Sequence, residues 1–172
     1  MKKKVLILSS LVIVLALIVF IQPSYSVIEE SDLIKDEAKL YIDNISEVIE
    51  VNGAKELSKP LVINNKITNI SAELHNPGDY IAYSFDIVNP TNNEVKIKDV
   101  IKNMNFNDEL LGSNVSIDLI YTHNSLYEVS VDDVIFPNNK LNVTMDIIYN
   151  NGPGVVENID LLVDNIYVEI DY

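Results

Sequence analysis

Residues 80–88 alternate without a break. Ile81, Tyr83, Phe85 and Ile87 fall on one side of an extended chain, and Ala82, Ser84 and Asp86 on the other. Period two of this kind predicts a half-buried β-strand. The strand is entered through His75-Asn76-Pro77-Gly78-Asp79 and left through Asn89-Pro90-Thr91-Asn92-Asn93, both rich in turn formers. The alternation recurs over 141–149, with Leu141, Val143, Met145, Ile147 and Tyr149 on one face, and more briefly over 115–121. Shorter strands are expected at Leu40–Ile42, at 45–51, at Val62-Ile63 before the Asn64-Asn65 turn, at Val95–Val100 and at 126–131. Two strands change parity, 67–74 near Asn69 and 159–172 near Asp164-Asn165, and a β-bulge is expected at each. Residues 102–114 are polar and Asn-rich and read as a long loop with one helical turn.

Eight or nine short strands separated by Pro, Gly and Asn turns, with no amphipathic helix between them, predict an antiparallel β-sandwich, jelly-roll or immunoglobulin-like, over 38–172. A parallel sheet would need crossovers of about a dozen residues or more. Only the 102–114 and 150–158 connections approach that length.

A different pattern precedes this domain. Lys2-Lys3-Lys4 is followed by an uncharged run from Val5 to Ile21 and then by Gln22-Pro23-Ser24-Tyr25-Ser26. Basic residues before an apolar run, with small residues at −3 and −1 of a cut after Ser26, read as an export signal. The run is seventeen residues long. Signal cores span about 7–15 and membrane-crossing helices roughly 17–25, so residues 1–26 are a cleaved signal peptide or a retained single-pass anchor holding the membrane through residues 5–21. In both cases the lysines stay inside and the rest is outside, extracellular or at the cell surface. Residues 27–37, with Glu29, Glu30, Asp32, Asp36 and Glu37, read as an acidic spacer.

Composition narrows the chemistry. Cysteine is absent, which excludes a lipoprotein anchor, disulfides and thiolate metal sites. All twelve basic residues are lysine; beyond Ser26, nine lysines face twenty-six acids, a net charge of about −17. Such a surface repels nucleic acid and anionic lipid. The two histidines, His75 and His123, sit in separate turns without a His-Glu-x-x-His pattern, and Ser71 and Ser125 lie near them without features of a nucleophile. No catalytic set and no cofactor motif emerges. Calcium is the ion that the acids recommend, with Asp132 and Asp133 as its candidate ligands and Asn107-Asp108-Glu109 and Asp164 behind them, although no EF-hand loop is present. Four N-x-S/T sequons occur, at Asn44, Asn69, Asn114 and Asn142. The strand tyrosines read as core or rim residues.

The strand 77–89, with Pro-Gly-Asp, Tyr83 and a closing Asn89, resembles one common in bacterial surface β-sandwiches. With the N-terminal segment and the late Asp132-Asp133-Val134-Ile135-Phe136-Pro137 stretch before 141–149, the layout resembles the TasA/camelysin group of exported Gram-positive matrix proteins. That resemblance implies a jelly-roll-like domain that exchanges strands between subunits to build extracellular fibres; some members have been described as metalloproteases. The expectation is therefore a non-enzymatic surface or biofilm-matrix protein that assembles through edge strands, with itself or a related surface protein. Residues 38–51 would be the donated strand and 159–172 the receiving edge. The rival expectation is a membrane-anchored monomer that binds a surface ligand through a loop such as 102–114.

Overall fold

The computed structural model describes residues 40–152 and 154–172. The apolar segment 5–21, the cut after Ser26 and the spacer 27–37 lie outside the described residues. Among those described, no helix is long and apolar enough to cross a membrane.

The turn at Thr122-His123 organises the chain. On either side of it lie β9 (Val115–Tyr121) and β10 (Asn124–Glu128), which pair antiparallel. Moving outward, β11 (Val134–Ile135) pairs with β7 (Val95–Lys96), β12 (Asn139–Tyr149) with β6 (Tyr80–Asn89), and β13 (Leu161–Asp171) with β5 (Lys66–Leu74), all antiparallel. The pairings are nested, so this part of the chain is one long two-armed ribbon. The ribbon then wraps on itself: β12 also pairs with β9, and β13 also pairs with β8 (Asp99–Phe106).

Two sheets result. One runs β1 (Tyr41–Asp43), β6, β12, β9, β10, with β2 (Ile49–Val51) also on β6. The other runs β3 (Lys55–Ser58), β5, β13, β8, with β4 (Leu61–Ile63) also on β5. A single helical turn, α1 (Glu109–Gly112), is N-capped by Asp108, whose carboxylate accepts from the Leu110 and Leu111 amides. The architecture is all-β, antiparallel and sandwich-like.

The expected inward set of β6, Ile81, Tyr83, Phe85 and Ile87, is buried, and so are Val143, Met145, Ile147 and Tyr149 on β12. They share one core with Ile67, Ile70, Ala72 and Leu74 of β5 and with Val163, Ile166, Val168 and Ile170 of β13. Apolar burial contributes about 25 cal/mol per Å², and with no disulfide this term must carry the fold.

Both expected bulges are present, and they answer each other. Between Val163 and Ile166 strand β13 has one extra residue against Ala72–Ile70, and between Ile70 and Ile67 strand β5 has one extra against Ile166–Val168. Asn165 and Asn69 adopt positive φ there, 50° and 66°, a conformation asparagine tolerates better than most residues. The two insertions cancel, so inward parity and register are recovered. One expectation fails: residues 102–106 are not loop but the second half of β8. This strand is an edge with one solvated face, so Lys102, Asn103 and Asn105 break the hydrophobic signal while Val100, Met104 and Phe106 still pack against the core.

The Pro77-Gly78-Asp79 turn does more than reverse the chain. Gly78 takes φ +93°, and Asp79 is 1 % exposed. Its carboxylate accepts from the amides of His75 (2.8 Å), Asn76 (2.9 Å) and Gly53 (3.2 Å). It thereby ties the turn after β2 to the connection between β5 and β6. Asp79→Ala orphans these donors and is expected to cost about 2–3 kcal/mol in chemical denaturation.

On the outer face of the first sheet, Asp146 stands opposite Asp118 in the β12–β9 register. Burial, and then the Asp118 charge, push the Asp146 carboxyl above its usual value. The folded state therefore loses stability as pH rises through that raised pKa. Asp146→Asn is expected to raise the melting temperature at pH 7, with the gain vanishing below about pH 4.

Candidate functional site

Assembly through strands needs an edge that can be opened, so it is confined to the free borders of the two sheets. Each sheet has two. The first is bordered by β1 and β2 on one side and β10 on the other; the second is bordered by β3 and β4 and by β8.

The expected receiving edge, residues 159–172, is not an edge. Strand β13 is paired along both sides, with β5 and with β8. The C-terminal position in sequence says nothing about position in the sheet.

Strand β8 is a border with its backbone partly satisfied. The Val100 amide bonds the Asp99 side chain (2.8 Å), and the Met104 amide bonds that of Asn103 (2.9 Å). Self-capping of this kind, with Lys102 between, blunts an edge against another chain. Strand β10 is fully exposed, with Leu126 at 89 %. Its register with β9 breaks between Asn124 and Glu128.

The segment from Leu40 to Val51 is different. Strand β1 pairs Tyr41, Ile42 and Asp43 with Val88, Ile87 and Asp86. Strand β2 pairs Ile49, Glu50 and Val51 with Ala82, Ile81 and Tyr80. Between them the Ser46 amide bonds the Ser84 carbonyl (2.8 Å), and the Ser84 amide bonds Ser46 Oγ (2.9 Å). On its other side β1 touches the second sheet, where the Ile42 amide donates to the Asn64 carbonyl (2.7 Å). Leu40 is fully buried and Ile42 is 5 % exposed. A three-residue strand and the residue before it thus close one side of the sandwich and plug its core with two large side chains, Ile42 and Leu40.

Asp86 anchors this segment. It lies on the outer face of β6 yet is only 5 % exposed. It accepts from Asn44 Nδ2 (2.8 Å), Lys140 Nζ (2.7 Å) and Asn142 Nδ2. Burial alone would push its carboxyl up; the Lys140 ammonium and the two amides together outweigh this and hold it below its usual value. Asn44, with φ 53°, supplies the bend after β1 that lets its amide reach this carboxylate.

Beside the 45–48 connection lies a cleft of about 420 Å³ lined by Ile45, Val48, Glu56, Pro60 and Tyr83. Tyr83 donates its hydroxyl to Glu56 Oε1 across the sheets (2.6 Å). Burial, then the Glu56 hydrogen bond, push this phenol far above its usual pKa, so it stays a neutral donor.

The calcium candidates have other partners. Asp133 accepts from the Ser130 amide (2.7 Å) and bonds the Tyr121 hydroxyl. Asp132 is exposed, 3.9 Å from Lys96 Nζ. The two are not part of any group of three metal-ligating side chains among the described residues. Asp108 caps α1, and Ser71 donates to Asp164 rather than to a histidine. His123 lies in a shallow pocket with Thr122 and Asn142, far in sequence from His75.

What sequence reading missed is Asp86, an aspartate on the solvent side of a period-two pattern. The signal was in the strand most alike in pattern, β12, where Lys140 and Asn142 fall on the same outward face. Against known proteins, the chain matches no family model, no curated protein and no solved structure.

Asp86 loses its stabilising role as pH falls through its lowered folded pKa, and the contribution is present above the unfolded value of about 3.9. Asp86→Asn is expected to cost about 2 kcal/mol at pH 7, and the deficit should shrink toward zero in acid. Urea denaturation at both pH values measures it.

Proposed function

We propose that this is an exported, non-enzymatic cell-surface or matrix protein that assembles by exchanging the 40–51 segment between copies. One observation carries the reading: the closing strand β1 is three residues long and lies at the N-terminal side of the domain, and yet with Leu40 just before it and Ile42 within it this segment fills the core. The same segment of a second copy can make the same bonds to β6 and fill the same core positions, which is the condition for strand exchange. The receiving groove is then the β6 border and the Asn64 carbonyl, not β13. Blunting of β8 supports the choice, because it leaves the β6 border as the one that gains a buried plug on pairing.

The finer fold fits the same reading. The nested pairs β9–β10, β7–β11, β6–β12 and β5–β13, wrapped into two sheets, support a jelly roll over an immunoglobulin-like sandwich. A jelly roll with an N-terminal closing strand is also what the resemblance to the TasA/camelysin group implies. The N-terminal run 5–21 supports export, with the signal cleaved after Ser26 or kept as an anchor.

The absence of cysteine permits a direct test. Tyr41 and Val88 are register partners. Single-cysteine proteins Tyr41→Cys and Val88→Cys are mixed, refolded together and oxidised. Exchange predicts a disulfide-linked heterodimer as the main product, growing with concentration. A closed monomer predicts the disulfide only in the double variant, within one chain, and would favour the anchored binding module.

A further inference from the structure

We propose that Glu73, His75 and Asp160 form a site for a divalent transition-metal ion of the zinc type. It goes beyond the assembly reading and stands or falls independently of it.

The β5–β13 pairing builds the site. Glu73 lies next to the end of β5, opposite Leu162, and His75 follows that strand directly. Asp160 directly precedes β13. Side chains distant in sequence therefore meet, and one ligand atom from each lies within 4.8 Å of the others. His75 Nδ1 is 3.2 Å from Asp160 Oδ1. Metal–ligand bonds of about 2.0–2.2 Å at tetrahedral angles put neighbouring donor atoms about 3.3–3.6 Å apart. The pair is already spaced for a shared ion.

A main-chain group adds to the set. The Ile159 carbonyl accepts a hydrogen bond from His75 Nδ1–H (2.8 Å); an ion held by Nδ1 takes the place of that proton, which is released to solvent, and finds this carbonyl within reach as a fourth donor. Glu73 is half-buried, and its carboxylate makes neither a hydrogen bond nor an ion pair with any described residue. Lys55 is its partner in the β3–β5 register, yet no ion pair joins them. A half-buried carboxylate with no side-chain partner among the described residues, beside an imidazole and a second carboxylate, offers a cation a free donor.

The donor types choose the ion. Calcium and magnesium take oxygen ligands, calcium six to eight of them. One imidazole with two carboxylates suits zinc, copper or nickel instead. Binding would clamp the end of β5 to the start of β13, a cross-link in a chain without cysteine.

The test uses the full chain in detergent micelles, titrated with zinc sulfate alone and followed by calorimetry and thermal melting. One-to-one binding is expected, with a rise in melting temperature and no comparable response to calcium. His75→Ala should weaken zinc affinity at least tenfold. Asp160→Asn, a change at an exposed side chain that leaves the fold intact, should weaken it in the same direction, whereas His123→Ala should not. Absence of zinc binding overturns the proposal. So does binding that survives both His75→Ala and Asp160→Asn, or that is lost equally in His123→Ala.

Discussion

The pairing of β6 with β12 is the constraint on which the rest depends. Ten consecutive register pairs join Asn139–Ile148 to Asn89–Tyr80. This places two strictly alternating strands side by side, with eight large side chains pointing the same way. Every other element can be read as covering them. The β5–β13 pair lies across the core as the opposing layer, β9 extends the sheet beyond β12, and β1 and β2 complete β6 on its other side. Because the pairings join distant parts of the chain, the closing of long loops must precede most of the stabilising burial, the regime of slow folding.

A short strand can hold the border of such a sheet only if it is tied by more than its backbone. Strand β1 has three ties: the apolar plug of Leu40 and Ile42, the amide bond to Asn64 in the other sheet, and the Asn44–Asp86 bond on the outer face. None depends on which copy supplies the strand. The interactions that stabilise the closed form are the ones that would stabilise an exchanged form, since every bond and buried side chain lost if β1 opened would be re-formed by the same segment of a second copy.

The acids of this chain illustrate how context decides what a carboxylate does. Asp79 collects three backbone amides and binds a corner together. Asp86 collects an ammonium and two amides and pins a strand. Asp146 meets another carboxylate and is held against its preferred charge state. Glu73 and Asp160 meet a histidine. Composition showed only an excess of negative charge; the fold gives each of these groups a separate consequence.

The strand pattern, the all-β class and even both bulges were legible in the sequence, because a pleated strand with one buried face imposes period two on its own residues and a one-residue insertion reverses it. Residues 81–87 and 143–149 therefore announced their inward sides, and Asn69 and Asn165 announced the slips. What a strand pairs with leaves almost no trace in its own residues. Hydrogen bonds of the ladder use backbone groups common to all residues, so nothing in 159–172 revealed that β13 is central, nothing in 102–106 that β8 continues, and nothing around Asp86, Glu73 or His75 which distant side chains would meet them. Those relations were decided by the wrapping of the ribbon, which brings together residues as far apart as Glu73 and Asp160 in an arrangement that buries both arms' apolar faces at once.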